Sequence, residues 1–333
     1  MFLANIKKHN YIYIYIYYVR MYAKRSRRKE FEMIHGIIDI GSNTVRMAIY
    51  DIKGEQIDFL MKKKHMVGLA AYLKNNIMTQ AGIDKVCDVL LEFKSFLDIF
   101  HITRIAAFTT AALRNCANSQ EAVAEIIRRT GINVEIISGD MEAQYDFVGA
   151  IHNIEERSGV LADIGGASTE LVAFEEGNII NKISLPMGSL DFRTKYCSFV
   201  LPNEFEVKLM EEQAHKILAA ATDFASIRCS MLLGIGGTFK GTCALYNGIY
   251  NCDKKNLVIE ATALDRMIQH FAKLEEIGYE DAVLLMKQVP DRINTVVPGM
   301  VIAKVLTEHF QCQRITYSDS GVREGFIYTH LVH

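Results

Sequence analysis

A short segment occurs twice in this 333-residue chain, and this repeat constrains the fold more than any other feature. Without a gap, residues 39–50 (DIGSNTVRMAIY) match residues 163–174 (DIGGASTELVAF). In both copies an apolar run ends in Asp-Ile-Gly, small residues form a turn, and a second apolar run follows. A hydroxyl stands at the same offset in each turn, Thr44 in the first and Ser168 in the second. Two such hairpins, each heading a similar half, predict a duplicated domain.

Strands and helices alternate after each hairpin. Three apolar runs with glycine-bearing turns between them predict a β-meander at the start of each half. In the first half a helix is expected at about residues 79–100, because its apolar side chains recur at helical spacing. A final strand near 315–317 leads into a closing helix at 322–330. This order predicts an α/β fold, with helices packed on a mixed, mostly parallel sheet.

The composition restricts the class of protein further. The chain is 50% hydrophobic and its formal net charge is −2, which argues against a nucleic-acid binder that relies on overall positive charge. A local basic cleft remains compatible with that total. Seven cysteines are scattered without a C-x-x-C pair, which is typical of reduced thiols in a cytosolic protein. The ten histidines form no ligand-spaced cluster with them, so a His/Cys metal site is not expected.

Residues 1–32 differ from the rest of the chain, with a Tyr-Ile repeat at 11–17 and a basic run at 24–29. A signal peptide places positive charge before its apolar stretch and small residues at a cleavage site, and neither arrangement is clear here. A membrane span needs about 20 apolar residues, roughly twice the length of this run. We therefore expect translation to begin at Met33 and residues 1–32 to be a non-native or disordered extension.

The two turns have the composition of phosphate-binding loops. A tight turn of small residues leaves backbone N–H groups pointing outward, where they form a concavity for phosphate oxygens. Residues 41–43 and 165–167 supply such groups, and the carboxylates of Asp39 and Asp163 suit a hydrated Mg²⁺. A third glycine-rich segment at 234–241 follows a strand and opens a helix, whose N-terminus attracts anions, and Lys240 adds a charge. Ordinary hairpin glycines would explain one such loop, but three together favour phosphate binding.

Five segments resemble, in order, the motifs of the exopolyphosphatase/guanosine pentaphosphate phosphatase family. They are residues 39–46, 136–143, 163–170, 234–238 and 318–325. The resemblance extends from Met33 to the C-terminus. It implies two actin-like (ribonuclease H-like) domains at 33–149 and 150–319, with a cleft between them and a Mg²⁺-dependent reaction. It also implies that the closing segment, 320–333, packs back on the first domain.

The resemblance places the catalytic carboxylate at Glu142. Physically, a carboxylate at the mouth of such a cleft can orient and deprotonate water for in-line attack on a terminal phosphorus. Taken alone, Glu142 would be interpreted as a helix N-terminal carboxylate that complements the helix dipole. Glu170 is expected to position metal or water beside Asp163, and Arg114 is expected to act with Glu142. Arg46 and Arg114 can each fork onto phosphate oxygens, although either can instead form a structural ion pair.

The expected ligand groups form two sets. The metal-binding set is Asp39, Asp163 and Glu170. The phosphate-binding set is Gly41, Ser42, Asn43, Thr44, Arg46, Gly165, Gly166, Ala167, Ser168, Gly236, Gly237, Thr238 and Lys240. Arg323 and Glu324 are expected to support the cleft from the closing helix. Two residues depart from the family pattern, namely Ala167 in place of a glycine and Met141 in place of an acidic residue.

Three functions remain open from the sequence. The first is hydrolysis of the terminal phosphoanhydride of inorganic polyphosphate or, as an alternative, of guanosine pentaphosphate. The second is a small-molecule kinase of the same superfold, and the third is an actin-like filament or ATP-switch protein. The resemblance favours a cytoplasmic hydrolase, implies a homodimer, and leads us to expect neither a nucleic-acid nor a membrane partner. The family's longer members carry extra helical domains that follow the second lobe, and the resemblance leads us to expect that those domains assist processivity on long polyphosphate.

Overall fold

The computed structural model describes residues 33–152, 154–272 and 276–332 of the chain. The expected extension at 1–32 lies outside these ranges. The strands are, in chain order, β1 (Ile34–Ile40), β2 (Thr44–Lys53), β3 (Gln56–Met66), β4 (Leu73–Lys74), β5 (Ile77–Met78), β6 (Arg104–Thr109), β7 (Val134–Ile136), β8 (Gly159–Ile164), β9 (Thr169–Glu175), β10 (Asn178–Leu185), β11 (Met231–Ile235), β12 (Val258–Glu260) and β13 (Arg314–Ser318).

Helices cover these sheets. They are α1 (Gln80–Ile99), α2 (Ala111–Arg114), α3 (Ser119–Thr130), α4 (Gly139–Ile151), α5 (Ser189–Tyr196), α6 (Glu204–Ala219), α7 (Gly236–Ile249), α8 (Ala261–Ala272), α9 (Tyr279–Gln288), α10 (Val296–Phe310) and α11 (Val322–His330). Among the described residues, short 3₁₀ turns lie at Leu69–Tyr72 and Thr222–Phe224. In the described part of the chain, no helix is both long and apolar enough to cross a membrane.

The two large sheets repeat one topology. The first has the order β3-β2-β1-β6-β7, and the second has the order β10-β9-β8-β11-β13-β12. In each, three antiparallel strands of a meander are followed by two parallel strands, and β12 adds an antiparallel edge to the second sheet. Because β1 and β8 occupy equivalent central places, the two Asp-Ile-Gly turns lie at equivalent strand ends. The tertiary structure therefore shows the duplication that the repeat predicts.

The pairing register brings out one difference between the two hairpins. Asp39 pairs with Arg46 across β1 and β2, and Asp163 pairs with Glu170 across β8 and β9. Adjacent Cβ atoms on paired antiparallel strands lie close enough for their side chains to interact. Each aspartate therefore has a charged neighbour on the returning strand, but the sign of that neighbour is reversed between the lobes.

Local signals explain several of the helix ends. Thr79 caps α1 by accepting from the Gly82 N–H, and Gly131 ends α3 in the left-handed region at φ 66°. Asn118 precedes α3 but does not cap it through its side chain, which bonds the backbone of Met78 at 2.8 and 3.0 Å. The sequence pattern does not predict α2, α5 or α9. These helices are short, and α5 and α9 bury one large apolar side chain each, Phe192 and Leu285.

The closing helix α11 packs on α4 and on the first sheet. Phe326 and Ile327 share a core cluster with Ile37 and Phe108 of that sheet. Glycines allow the close approach of the two helices: a Cβ on Gly325 would lie 1.7 Å from the carbonyl oxygen of Tyr145. The last helix of the chain is thereby fixed to the first lobe by direct backbone contact, and α11 begins at the edge of the cleft.

Candidate active site

The two Asp-Ile-Gly turns face each other across the space between the lobes. Each is closed by the same bond, from Gly41 N–H to Thr44 C=O at 3.1 Å and from Gly165 N–H to Ser168 C=O at 2.9 Å. A Cβ on Gly166 would lie 3.0 Å from Ser42 Cβ. The turns therefore meet tip to tip, and their small residues are what permits the contact.

A cavity of about 70 Å³ lies beneath this contact. It contains the side chains of Asp39, Asp163 and Glu142, together with most of the predicted phosphate-binding set. The members that line it are Gly41, Ser42, Asn43, Thr44, Arg46, Gly165, Gly166, Ser168, Gly236 and Gly237. Its third wall is the N-terminus of α7, whose first glycine, Gly236, has φ +75° and leaves no room for a Cβ beside Asp163 Oδ1. Backbone N–H groups, a helix N-terminus and carboxylates thus converge on one small volume.

Three members of the predicted phosphate-binding set do not line this cavity. The Thr238 hydroxyl is buried and donates to the carbonyl of Ile164 at 2.6 Å, so this side chain supports the second turn from beneath. The backbone of Ala167 packs closely against Gly188, where a Cβ would lie 2.4 Å from the Ala167 nitrogen. Lys240 lines a separate outer cavity and pairs with Asp319 at 3.2 Å.

Arg114 connects the two lobes at the floor of the site. Its Nη1 donates to Glu142 Oε2 at 2.5 Å, and its Nη2 lies 3.7 Å from Glu170 Oε1. Ser184 of the second lobe accepts from Arg114 at 3.4 Å and donates to Glu170 at 2.6 Å. One guanidinium therefore orients the candidate catalytic carboxylate and joins it to the second-lobe hairpin. Glu170 is almost fully buried and, like Arg114, lies behind the cavity lining.

Burial raises the pKa values of the carboxylates in the cleft. Burial, followed by the nearby charge of Glu170, raises the pKa of Glu142 well above its ordinary value. The same two causes raise the pKa of Asp163 to about 7, against the opposing effect of Arg46. Burial also raises the pKa of Asp39, although Arg46 lies 3.6 Å away and favours its charged form. The carboxyl groups of the cleft are therefore more stable when they are protonated or when a cation lies beside them.

These shifts predict how metal-free stability changes with pH. A carboxyl group whose folded pKa is raised stabilises the fold below its unfolded pKa, and that stability is lost as pH rises through the folded value. For Asp163 the window runs from about 4 to about 7. We expect the melting temperature in chelator to fall by several degrees between pH 5.5 and 8, and Mg²⁺ to restore part of it at pH 8. Thermal melts of wild type and Asp163→Asn test this, and a wild-type melting temperature that rises over that range contradicts it.

Arg292 is a cleft residue that the sequence pattern did not indicate. It precedes α10 in a loop, and it lines both the inner and the outer cavity. Its guanidinium covers the N-terminus of α7, where a Cβ on Gly237 would lie 2.0 Å from Nη2. Burial and the nearby Arg46 lower its pKa to about 10. The sequence gives little indication of this role, because Arg292 is a single arginine in a loop and does not belong to a recognisable motif.

The outer cavity continues from the inner one and has a volume of about 340 Å³. The two share Thr44, Arg46 and Arg292 in their walls. The further basic residues of the outer cavity are Lys62, Lys63, Lys64, Lys240 and Arg323. Two carboxylates, Asp291 and Asp319, also line it, so positive charge prevails. Sequence reasoning did not single out the lysines of β3, because their clustering with α7 and α11 depends on the tertiary fold.

The cleft suits the Mg²⁺ that the sequence leads us to expect. Its donors are carboxylate oxygens, which Mg²⁺ prefers, and Asp163 lies in the wall of the inner cavity. Over the described ranges no three acidic, histidine or cysteine side chains form a ready-made cage. Mg²⁺ does not require one, since it keeps several waters and binds one or two carboxylates together with substrate phosphate.

Comparison with known proteins gives a consistent result. The sequence profile of the Ppx/GppA phosphatase family matches residues 48–333. A Haemophilus influenzae protein provisionally named an exopolyphosphatase is 28% identical over 302 residues, covering 88% of this chain and 90% of that protein. A crystal structure of the Aquifex aeolicus family member has a TM-score of 0.71 at 25% identity, over 90% of this chain and 97% of that one. For fold alone, an exopolyphosphatase from Cytophaga hutchinsonii reaches a TM-score of 0.77 at 23% identity, over 89% and 97%.

The fold defines a two-lobed protein of actin-like architecture with a cleft between its lobes, which confirms the predicted fold class. More narrowly, the chain belongs to the Ppx/GppA phosphatase family, as the five motifs indicate. Family membership supports a phosphatase that acts as a hydrolase.

Proposed function

We propose that this protein releases terminal orthophosphate from inorganic polyphosphate in a Mg²⁺-dependent reaction, with Glu142 activating the attacking water. The observation that carries the proposal is the placement of Glu142. Its carboxylate lies in the wall of the inner cavity, which residues of both Asp-Ile-Gly turns also line, and Arg114 fixes its direction. A buried carboxylate there can activate water for hydrolysis, whereas a kinase would also need a site for an acceptor hydroxyl beside it.

The chain's own residues supply most of the chemistry. The backbone N–H groups of the turns and of the α7 N-terminus bind the terminal phosphate, and Arg46 and Arg292 neutralise its charge. Glu142, held by Arg114, accepts a proton from water as the water attacks in line with the leaving oxygen. Bound Mg²⁺ would be held by Asp163 and Asp39 and would polarise the phosphoryl oxygens. Burial raises the pKa of Glu142, which makes its carboxylate a stronger base than that of an exposed glutamate.

The outer cavity favours polyphosphate over guanosine pentaphosphate. A polyphosphate chain carries charge on every unit, and the basic walls of this cavity match that pattern directly behind the terminal site. A guanine base would instead be recognised by stacking and by hydrogen bonds to its edges. Within the described residues, Tyr317 is the one aromatic side chain in the lining, and its hydroxyl donates to Asp319 at 2.6 Å.

Side-by-side turnover tests the substrate assignment. We expect phosphate release from long-chain polyphosphate at a higher kcat/KM than from guanosine pentaphosphate, in Mg²⁺ at moderate salt. A clear preference for the nucleotide would support the alternative, and the absence of release from both would overturn the proposal.

A double variant in the basic wall tests whether the outer cavity binds the part of a polyphosphate chain that follows its terminal phosphate. Lys62 and Lys240 lie together there, and burial followed by the charge of Lys240 lowers the pKa of Lys62. We expect Lys62→Gln with Lys240→Gln to raise the KM for long polyphosphate severalfold and to leave tripolyphosphate turnover nearly unchanged. The effect should shrink at high salt, because these charges are partly exposed. Lys85→Gln, on the exposed face of α1, is the control, and an equal loss for short and long substrates contradicts the assignment.

A further inference from the structure

Asp146 is a buried carboxylate that the chemistry above does not use. It lies on α4, one helical turn after Glu142, so both side chains project from the same face of the helix. Its side chain has no exposed surface. Among the described residues, neither of its carboxylate oxygens has a hydrogen-bond partner.

The position of this carboxylate is fixed by its neighbours. A Cβ on Gly321 would lie 3.3 Å from Asp146 Oδ1 and 3.2 Å from Ile235 Cδ1. Ile235 ends β11 and pairs with Asp163 of β8. Asp146 therefore lies where the start of α11 approaches the strand ends that carry the cleft. The charges that act on it most strongly are those of Asp163 and Glu142, followed by Glu170 and Asp39.

Three other carboxylates around the cleft have partners in the protein. Glu142 is bonded to Arg114, Glu170 accepts from Ser184, and Asp39 pairs with Arg46. The N-terminus of α11 approaches Asp146, and its dipole favours a negative charge there without neutralising it. Burial of an unpaired carboxylate is costly, and a bound ion is one of the ways in which native proteins compensate such a group.

A charge count indicates the kind of ligand. When all are ionised, six carboxylates around the cleft face four guanidiniums, those of Arg46, Arg114, Arg292 and Arg323, which leaves two negative charges. The carboxylates are those of Asp39, Glu142, Asp146, Asp163, Glu170 and Glu324. A divalent cation has the charge needed to balance this excess.

We infer that Asp146 is a positioning residue for the divalent cation of the cleft, and that its carboxylate raises cation affinity from behind the carboxylates that line the cavity. This inference rests on the proposed function only in sharing its cation. The carboxylate of Asp146 acts on the cation through charge and through the groups that orient the nearer ligands, as outer groups do at other metal sites. Loss of such an outer partner typically weakens metal binding by about 10–100-fold.

The test compares the full-length wild-type protein with Asp146→Asn in the absence of substrate. Mn²⁺ binding is measured by the loss of the free-ion signal in electron paramagnetic resonance, and Mg²⁺ binding by calorimetry. We expect the variant to bind both ions at least about tenfold more weakly. In chelator, we expect its melting temperature to rise by a few degrees, because an uncompensated charge has been removed. Asp88→Asn, which removes an exposed carboxylate from α1, should change neither quantity.

The two readouts separate this role from a purely structural one. A structural aspartate would lose stability on substitution and leave metal affinity unchanged, and that result would overturn the inference. Should Asp146→Asn fail to fold, Asp146→Ala repeats the comparison without a polar group to bury, and wild-type metal affinity in it would equally overturn the inference. Failure of the proposed function would appear separately, as wild-type protein that binds Mg²⁺ yet releases no phosphate from polyphosphate.

Discussion

Replacing Glu142 with glutamine should lower kcat for phosphate release from polyphosphate by about 10³-fold and leave KM nearly unchanged. Positioned acid–base groups contribute between about 10² and 10⁴ to such reactions. Glutamine keeps the shape of the side chain and can still accept from Arg114, so substrate binding and the lobe connection are retained. What it lacks is the charge that takes the proton from water. Steady-state kinetics with long polyphosphate, together with a melt in chelator, measures the effect.

The matched control for this change is Glu135→Gln. Glu135 is exposed on β7, close in sequence to Glu142 and outside the cleft, so its variant should keep full activity. Because Glu142 is buried with a raised pKa, its glutamine variant should be at least as stable as wild type in chelator. A variant that releases phosphate at the wild-type rate would remove Glu142 from the mechanism and require another base.

The second large effect is expected from Gly325→Ala, far from any reacting atom. Its methyl group would lie 1.7 Å from the backbone oxygen of Tyr145, and neither helix backbone can rotate away as a side chain would. The helices α4 and α11 must therefore separate, at a cost of about 3 kcal/mol or more. We expect a melting temperature lower by several degrees and a loss of activity, since α4 carries Glu142 and α11 begins beside the cleft.

Gly278→Ala provides the comparison for this substitution. Gly278 precedes α9 with φ −66°, and a Cβ there meets nothing within 4 Å. Its variant should change the free energy of unfolding by less than about 1 kcal/mol, the modest cost of alanine at a helix cap. If Gly325→Ala proved equally mild, the two helices would not be in the direct backbone contact described above.

Much of the fold could be predicted from sequence because its main signals are local. The repeat located both hairpins, and the period of apolar residues located α1 in the first half. Helices without a wide apolar face, such as α5 and α9, gave no such signal and were missed. The domain boundaries at 149 and 319 remain predictions, since α4 and α11 lie against each other across them.

The site was predictable where motifs are contiguous and not where the fold assembles single residues. Turn residues such as Gly41 and Gly165, which the repeat singled out, line the inner cavity, and their binding of phosphate stays a prediction. Arg292 and Asp146 were missed, because each becomes informative only when its distance from the turns is known. Thr238 shows the converse: a motif position can serve the loop behind the cleft instead of its surface.

The cross-strand neighbour of the aspartate is positively charged in one lobe, Arg46, and negatively charged in the other, Glu170. The charge distribution of the two duplicated halves is therefore asymmetric, whereas two identical halves would carry the same charges on both sides of the cleft. Here the first lobe offers a cation where the second offers an anion, at places related by the internal repeat. In the proposed function, a bound linear polyphosphate, whose two ends are chemically equivalent, would take its direction in the cleft from this exchange of charge between two copies of one hairpin.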